Sequence, residues 1–167
     1  QGPGALKVLS IAADGTVSPP QTLVDVPKGV ARDPEVHDSG RKILFSMRRN
    51  IKDDYHIYEV NADGTALKQL TFSPAVSDID PLYLPDGDIV FSSTREPKYC
   101  MCNRHIMANL FRMENDGANI HQIGKSTLFE GHGALLPDGR VMYYRWEYVD
   151  RNFGDAHGLW TVNPDGT

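Results

Sequence analysis

Cysteine is nearly absent from this sequence: two of 167 residues, Cys100 and Cys102. Two thiols cannot staple a disulfide-framework domain, so an apolar core has to hold the fold. No Cys-x-x-Cys-His occurs, which excludes covalent c-type haem attachment within these residues. Long apolar runs are missing too, and none approaches the roughly 20 residues of a membrane span. An excess of positive charge is also lacking, since 17 Lys and Arg against 22 Asp and Glu leave a net −5. With its few basic residues scattered, the chain has no face for neutralising phosphates, which argues against nucleic acid as a partner. Ser-His-Asp spacings, phosphate loops and His-Glu-x-x-His are absent, and no segment has a helical apolar period with caps.

What is present is a repeat. Asp-Gly pairs close four similar phrases: Ala13-Asp14-Gly15-Thr16, Ala62-Asp63-Gly64-Thr65, Asn115-Asp116-Gly117-Ala118 and Pro164-Asp165-Gly166-Thr167. Their glycines step by 49, 53 and 49 residues. A second series lies between them, Asp38-Ser39-Gly40, Pro85-Asp86-Gly87 and Pro137-Asp138-Gly139, stepping by 47 and 52. Two interleaved series with one period mark two kinds of hairpin in one repeating unit. Asp-Gly supplies the positive backbone angles of a tight turn, and both flanks are rich in β-branched and aromatic residues. Several of these runs lack clean alternation, as strands buried on both faces do.

Each unit therefore reads strand A, turn, strand B, loop, strand C, turn, strand D. Four antiparallel strands every ~50 residues predict an all-β fold, a β-propeller fragment of about three blades. A sandwich of short strands is the alternative, but it needs no period this regular. The phasing assigns residues 1–27 to strands C and D of a preceding blade, with the first strand running from Leu6 to Ile11. Residues 28–73 and 74–125 form whole blades, and 126–167 a blade lacking its last strand. The opening Gln1-Gly2-Pro3-Gly4 reads as the interior of a longer chain. On this phasing the expected partners are the remainder of the propeller, other domains of a parent protein, or another copy, because bare sheet edges invite pairing.

Asp80-Pro81, Pro85-Asp86-Gly87, residues 91–95 and residues 110–117 resemble the phrases of TolB-type six-bladed propellers, and the likeness runs over essentially the whole chain. Cys100-Met101-Cys102-Asn103-Arg104-His105 and residues 137–151 are similar to the middle domain of hydrazine synthase α-subunits. That resemblance implies a periplasmic or secreted bacterial protein. It also implies that any haem is attached elsewhere in the parent, because the motif here is Cys-x-Cys-x-x-His.

With both hairpin turns on one face, the B–C loops and D–A connections gather on the other. Long loops on a rigid scaffold are where binding usually sits. The loop-face candidates are Arg95, Arg104, Arg145, Trp146, Glu147, Tyr148, Asp150, Arg151 and His157. Counting back seven residues from each A–B glycine gives Asp33, Asp80 and His132, equivalent positions around the channel. They form either a ring for a divalent cation or ordinary backbone caps ahead of a proline. Cys100, Cys102 and His105, with His132 beside them, are candidate ligands for a metal such as zinc; a strained disulfide and inert packing are the other readings. The expected function is a scaffold or binding domain whose loop face docks a partner domain, cofactor or ligand. One alternative is part of a multihaem oxidoreductase active site, and another is carbohydrate chemistry on carboxylates such as Glu147, Asp150 and Asp155.

Overall fold

A computed structural model describes residues 2–100, 104–147, 150 and 152–167. Every Asp-Gly site builds one and the same turn. The glycine N–H donates to the carbonyl three residues back, at 2.9 Å for Gly15, Gly87, Gly139 and Gly166, 2.8 Å for Gly64 and 3.0 Å for Gly117. The aspartate Oδ1 accepts the N–H two residues on, as Asp63 does from Thr65 and Asp116 from Ala118, both at 2.9 Å. Only the glycine takes positive φ. The turn is thus a type I turn closed by a bulge glycine, and not the doubly positive turn expected for two-residue hairpins.

These turns join antiparallel strands into four sheets. The first holds β1 (Gly4–Val8) and β2 (Gln21–Val26), and the second β3 (Val30–Val36), β4 (Lys42–Arg48), β5 (His56–Asn61) and β6 (Lys68–Gln69). The third holds β7 (Asp78–Tyr83), β8 (Ile89–Ser93), β9 (Asn109–Met113) and β10 (His121–Gln122), and the fourth β11 (Phe129–Leu135), β12 (Val141–Trp146) and β13 (His157–Val162). The first strand is shorter than the sequence suggests: pairing lapses after Val8, and only an isolated bridge joins Ile11 to Val17. A single 3-10 turn, Phe153–Ala156, precedes β13.

Apolar layers lie between successive sheets. Leu6 and Val24 pack with Phe45 and Val60, Leu44 and Ile57 with Phe91 and Met113, and Val90 and Leu110 with Val141 and Tyr143. Both faces of β4 and β8 are therefore covered. Their sequences consequently carry continuous apolar runs instead of alternation.

The sheets stack through the turns of the Asp63, Asp116 and Asp165 series. A Cβ built on Gly64 would lie 3.3 Å from the Leu23 carbonyl oxygen of the sheet before it, one on Gly117 2.3 Å from that of Leu70, and one on Gly166 3.2 Å from that of Ile123. Positive φ favours glycine at all three, and at Gly117 the close backbone approach excludes a Cβ as well. Gly139 has the same positive φ but nothing within 4 Å of a Cβ. Gly139→Ala should cost only the left-handed strain, about 1–2 kcal/mol. Gly117→Ala should cost about 1–3 kcal/mol more, because the strand of Leu70 must shift. Denaturant unfolding of the two variants checks this, and equal losses would count against turn packing as the stacking contact.

Candidate functional site

The innermost strands β3, β7 and β11 adjoin one another, and each is interrupted at the same place. Register shifts fall between Arg32 and Glu35, Ile79 and Leu82, and Gly131 and Ala134. At each bulge one ionisable residue sits in the left-handed region: Asp33 at φ 53°, Asp80 at 53° and His132 at 55°. Asp and His are among the few non-glycine residues that tolerate this conformation. The three positions counted from the repeat are thus a structural set, and the set converges.

Asp80 is the hub, with a side chain only 6% exposed. Its carboxyl has that of Asp33 as a neighbour and lies 3.4 Å from His132 Nδ1 and 3.9 Å from Arg32 Nη2. Arg32 Nε donates to Asp33 at 2.6 Å. Two further bonds sew the strands together: Asp80 N–H donates to Ser46 Oγ at 3.1 Å, and His132 N–H donates to Asp80 Oδ2 at 3.4 Å. The Asp80 carboxylate does take a backbone N–H, but that of the next sheet. Burial, followed by the neighbouring Asp33 charge, pushes the Asp80 carboxyl above the usual carboxylate range, against the pull of His132 and Arg32.

Arg32 links this row to a hollow of about 570 Å³ on the loop face. Arg32, Ile79 and Phe129 from the inner strands line it, with Tyr55, His105 and Ile106 from the loops. The Tyr55 ring lies against two guanidinium groups, Arg48 at 4.8 Å and Arg32 at 5.8 Å from its centroid. Phe129 contacts the His132 ring at 5.9 Å and that of Tyr144 at 6.0 Å. Tyr144 stacks in turn on His157, which stacks on Trp146 at 5.1 Å.

His105, His132, Trp146 and His157 are thus brought to one aromatic-walled region. Arg145 and Glu147 pair with each other, and Arg145 also lies over the Trp160 ring at 4.6 Å. Arg145, Trp146 and His157 belong to strands rather than to the loop. Arg104 stands at φ 56°; its N–H donates to the Cys100 carbonyl, and Cys100 N–H to the His105 carbonyl, both at 2.9 Å. The Cys100 thiol is free and fully buried, and Asp150 is exposed. Cys102, Tyr148 and Arg151 lie outside the described residues. Among the described residues, no three His, Cys, Asp or Glu side chains are placed to hold a metal ion.

Sequence reasoning missed two buried acids. Asp78, fully buried, accepts from Ser93 Oγ at 2.6 Å and from Arg95 Nη2 at 2.9 Å. Glu130, also fully buried, accepts from Asn109 Nδ2 at 2.7 Å and from Ser126 N–H at 3.0 Å. Each lies two residues before its row member, Asp80 or His132, so the repeat offset carried a signal. The Asp78 contact holds Arg95, one of the loop-face candidates, against its own sheet.

No family model and no curated protein matches the sequence. Solved structures do. Hydrazine synthase of Kuenenia stuttgartiensis superposes with a TM-score of 0.76 at 18% identity, over 92% of this chain and 26% of that one. A putative TolB of Agrobacterium tumefaciens gives 0.67 at 17% identity over 96% and 57%, and TolB of Acinetobacter baumannii 0.63 at 16% over 90% and 33%. The architecture is that of a β-propeller domain, and the chain spans about a quarter to just over half the length of these proteins. Among the described residues no helix is long and apolar enough to cross a membrane.

The elevated Asp80 carboxyl has a definite linkage sign. Its folded pKa lies above the unfolded value of about 3.9, so its contribution is most favourable below that value and is lost as pH rises through the folded pKa. Asp80→Asn retains an oxygen for the His132 N–H and tolerates the left-handed backbone. Its stability relative to the parent should therefore be greater at pH 7 than at pH 4. Thermal unfolding at the two values checks this, and a gain confined to acid would reverse the assignment.

Proposed function

We propose that this chain is a propeller scaffold whose loop face binds a ligand or docks a partner domain at the Arg32–Tyr55–Phe129 hollow, beside the Asp33–Asp80–His132 row. The observation that carries the reading is Asp80: a buried carboxyl held against a second carboxyl, on a left-handed backbone. Packing alone would favour an uncharged residue there, and costly polar groups of this kind concentrate at working sites. The hollow's size falls within the range of about 300–1,000 Å³ usual for small-molecule sites, and its walls are mainly apolar with a few polar groups. Likeness to TolB and hydrazine synthase supports a place in a larger secreted or periplasmic bacterial protein. Oxidoreductase chemistry would need a haem attached outside this chain, and metal binding would draw on Cys102 in addition to Cys100 and His105.

A fragment library screened by amide chemical shifts tests the reading. Hits should move Arg32, Tyr55, Ile79 and Phe129 and leave the Asp-Gly turns unmoved. Arg32→Ala with Phe129→Ala should abolish them while the shifts of β4 and β8 persist. Hits confined to the turn face, or unaffected by the double substitution, would refute the placement.

A further inference from the structure

The charges around the loop-face hollow do not all cancel one another. Arg32, Asp54 and Tyr55 stand in its wall, and the Arg48 guanidinium lies over the Tyr55 ring, 4.8 Å from its centroid. Arg32 is answered by Asp33, to which its Nε donates at 2.6 Å. Arg48 is not answered, because its Nε is buried with no hydrogen-bond partner among the described residues. Asp54 belongs to the same loop and is half-buried, yet it does not pair with Arg48. The ion pairs in this part of the molecule are those of Arg32, His56, Arg95 and His132 with Asp33, Asp78 and Asp80. One guanidinium and one carboxylate are thus left open beside Tyr55. The remaining wall is largely apolar, with Ala75, Ile79, Phe129 and Ile106, the last 49% exposed.

We infer that the ligand of this hollow is a zwitterionic α-amino acid with a large apolar side chain. The inference rests on the reading of the hollow as a binding site and adds the class of its ligand. The amino acid's carboxylate meets the open Arg48 guanidinium, whose planar fork suits that group. Its ammonium meets Asp54, and its side chain lies against Ile79 and Phe129. Ligands of a single charge fit less well. An anion lacking the ammonium enters beside an uncompensated Asp54, and an amine lacking the carboxylate enters beside Arg32 and Arg48. Like charges set close together disfavour the wrong ligand as strongly as matched ones favour the right one. A neutral apolar molecule fills the walls but leaves the buried Arg48 Nε without a partner, which is costly.

L-Phenylalanine, hydrocinnamate and phenethylamine share one aromatic body and differ only in which charges they carry. Each is titrated to millimolar concentration and followed by amide chemical shifts. L-Phenylalanine should move Arg48, Asp54, Tyr55 and Phe129 saturably. Hydrocinnamate and phenethylamine should each bind about tenfold more weakly, the loss expected when a charged hydrogen bond goes unmade. Asp54→Asn should bring phenylalanine down to the level of hydrocinnamate, and Arg48→Gln to that of phenethylamine. Neither side chain has an ion pair to lose, and persistence of the β4 and β8 shifts verifies the fold. Neutral fragments bound in the hollow, with no preference for phenylalanine over its two analogues, overturn the ligand class and leave the binding reading standing. Phenylalanine binding unmoved by both substitutions also overturns it. A hollow that takes neither fragments nor phenylalanine overturns both readings.

Discussion

The backbone of one turn rests on the backbone of the strand before it, and the stacking of the sheets depends on that contact. Gly64, Gly117 and Gly166 meet the backbone of Leu23, Leu70 and Ile123, tightly at the first and last and at Gly117 so closely that a Cβ would force a shift. Because the contact recurs at the outer end of each sheet, each sheet takes the same position against its predecessor. The inner strands are thereby brought side by side, and the apolar layers between sheets close. A row of equivalent residues on β3, β7 and β11 follows, since residues at one register in successive sheets have to become neighbours. Asp33, Asp80 and His132 meet because of glycines far from them in sequence.

The two seams along that row are not alike. At the first, the Asp80 N–H is taken by Ser46 Oγ. At the second, the equivalent His132 N–H turns to the Asp80 carboxylate, and buried Ser92 Oγ, the counterpart of Ser46, has no hydrogen-bond partner among the described residues. Substituting histidine into the third position thus redirects a backbone bond as well as adding an imidazole. Asp80 is left with obligations on both sides, to Asp33 on one and to His132 on the other.

The turns, the strands beside them and the row were legible because each is a local signal repeated at a fixed step. Asp-Gly specifies a turn without reference to anything distant, and counting from its glycine finds the bulge residue. The hollow was not legible. Arg32, Tyr55 and Phe129 are unremarkable in sequence, and only sheet stacking brings the three together. Asp78 and Glu130 escaped for a related reason: an acidic residue at the start of a strand reads as surface until its partners, Arg95 or Asn109, are seen to close over it. The loop residues divided similarly. Arg145 and Trp146 were placed beyond the strand, whereas pairing runs on through Trp146 to His157 because stacked aromatic rings extend the ladder.

Where the chain departs from what folding alone would select gives the firmest guide to use. Three left-handed non-glycine residues in adjacent strands each carry strain of about 1–3 kcal/mol, and the buried Asp80 carboxyl adds desolvation that the neighbouring Asp33 charge worsens. Asparagine would satisfy the same backbone with less conflict at Asp33 and Asp80, and glycine would relieve it at all three. The seams do not need the charge, since Ser46 meets the same kind of N–H with a neutral hydroxyl. A structural account thus explains the bulges and leaves the ionisable side chains unexplained. What joins these side chains to the aromatic-walled hollow is Arg32, which pairs with Asp33 and itself lines that hollow.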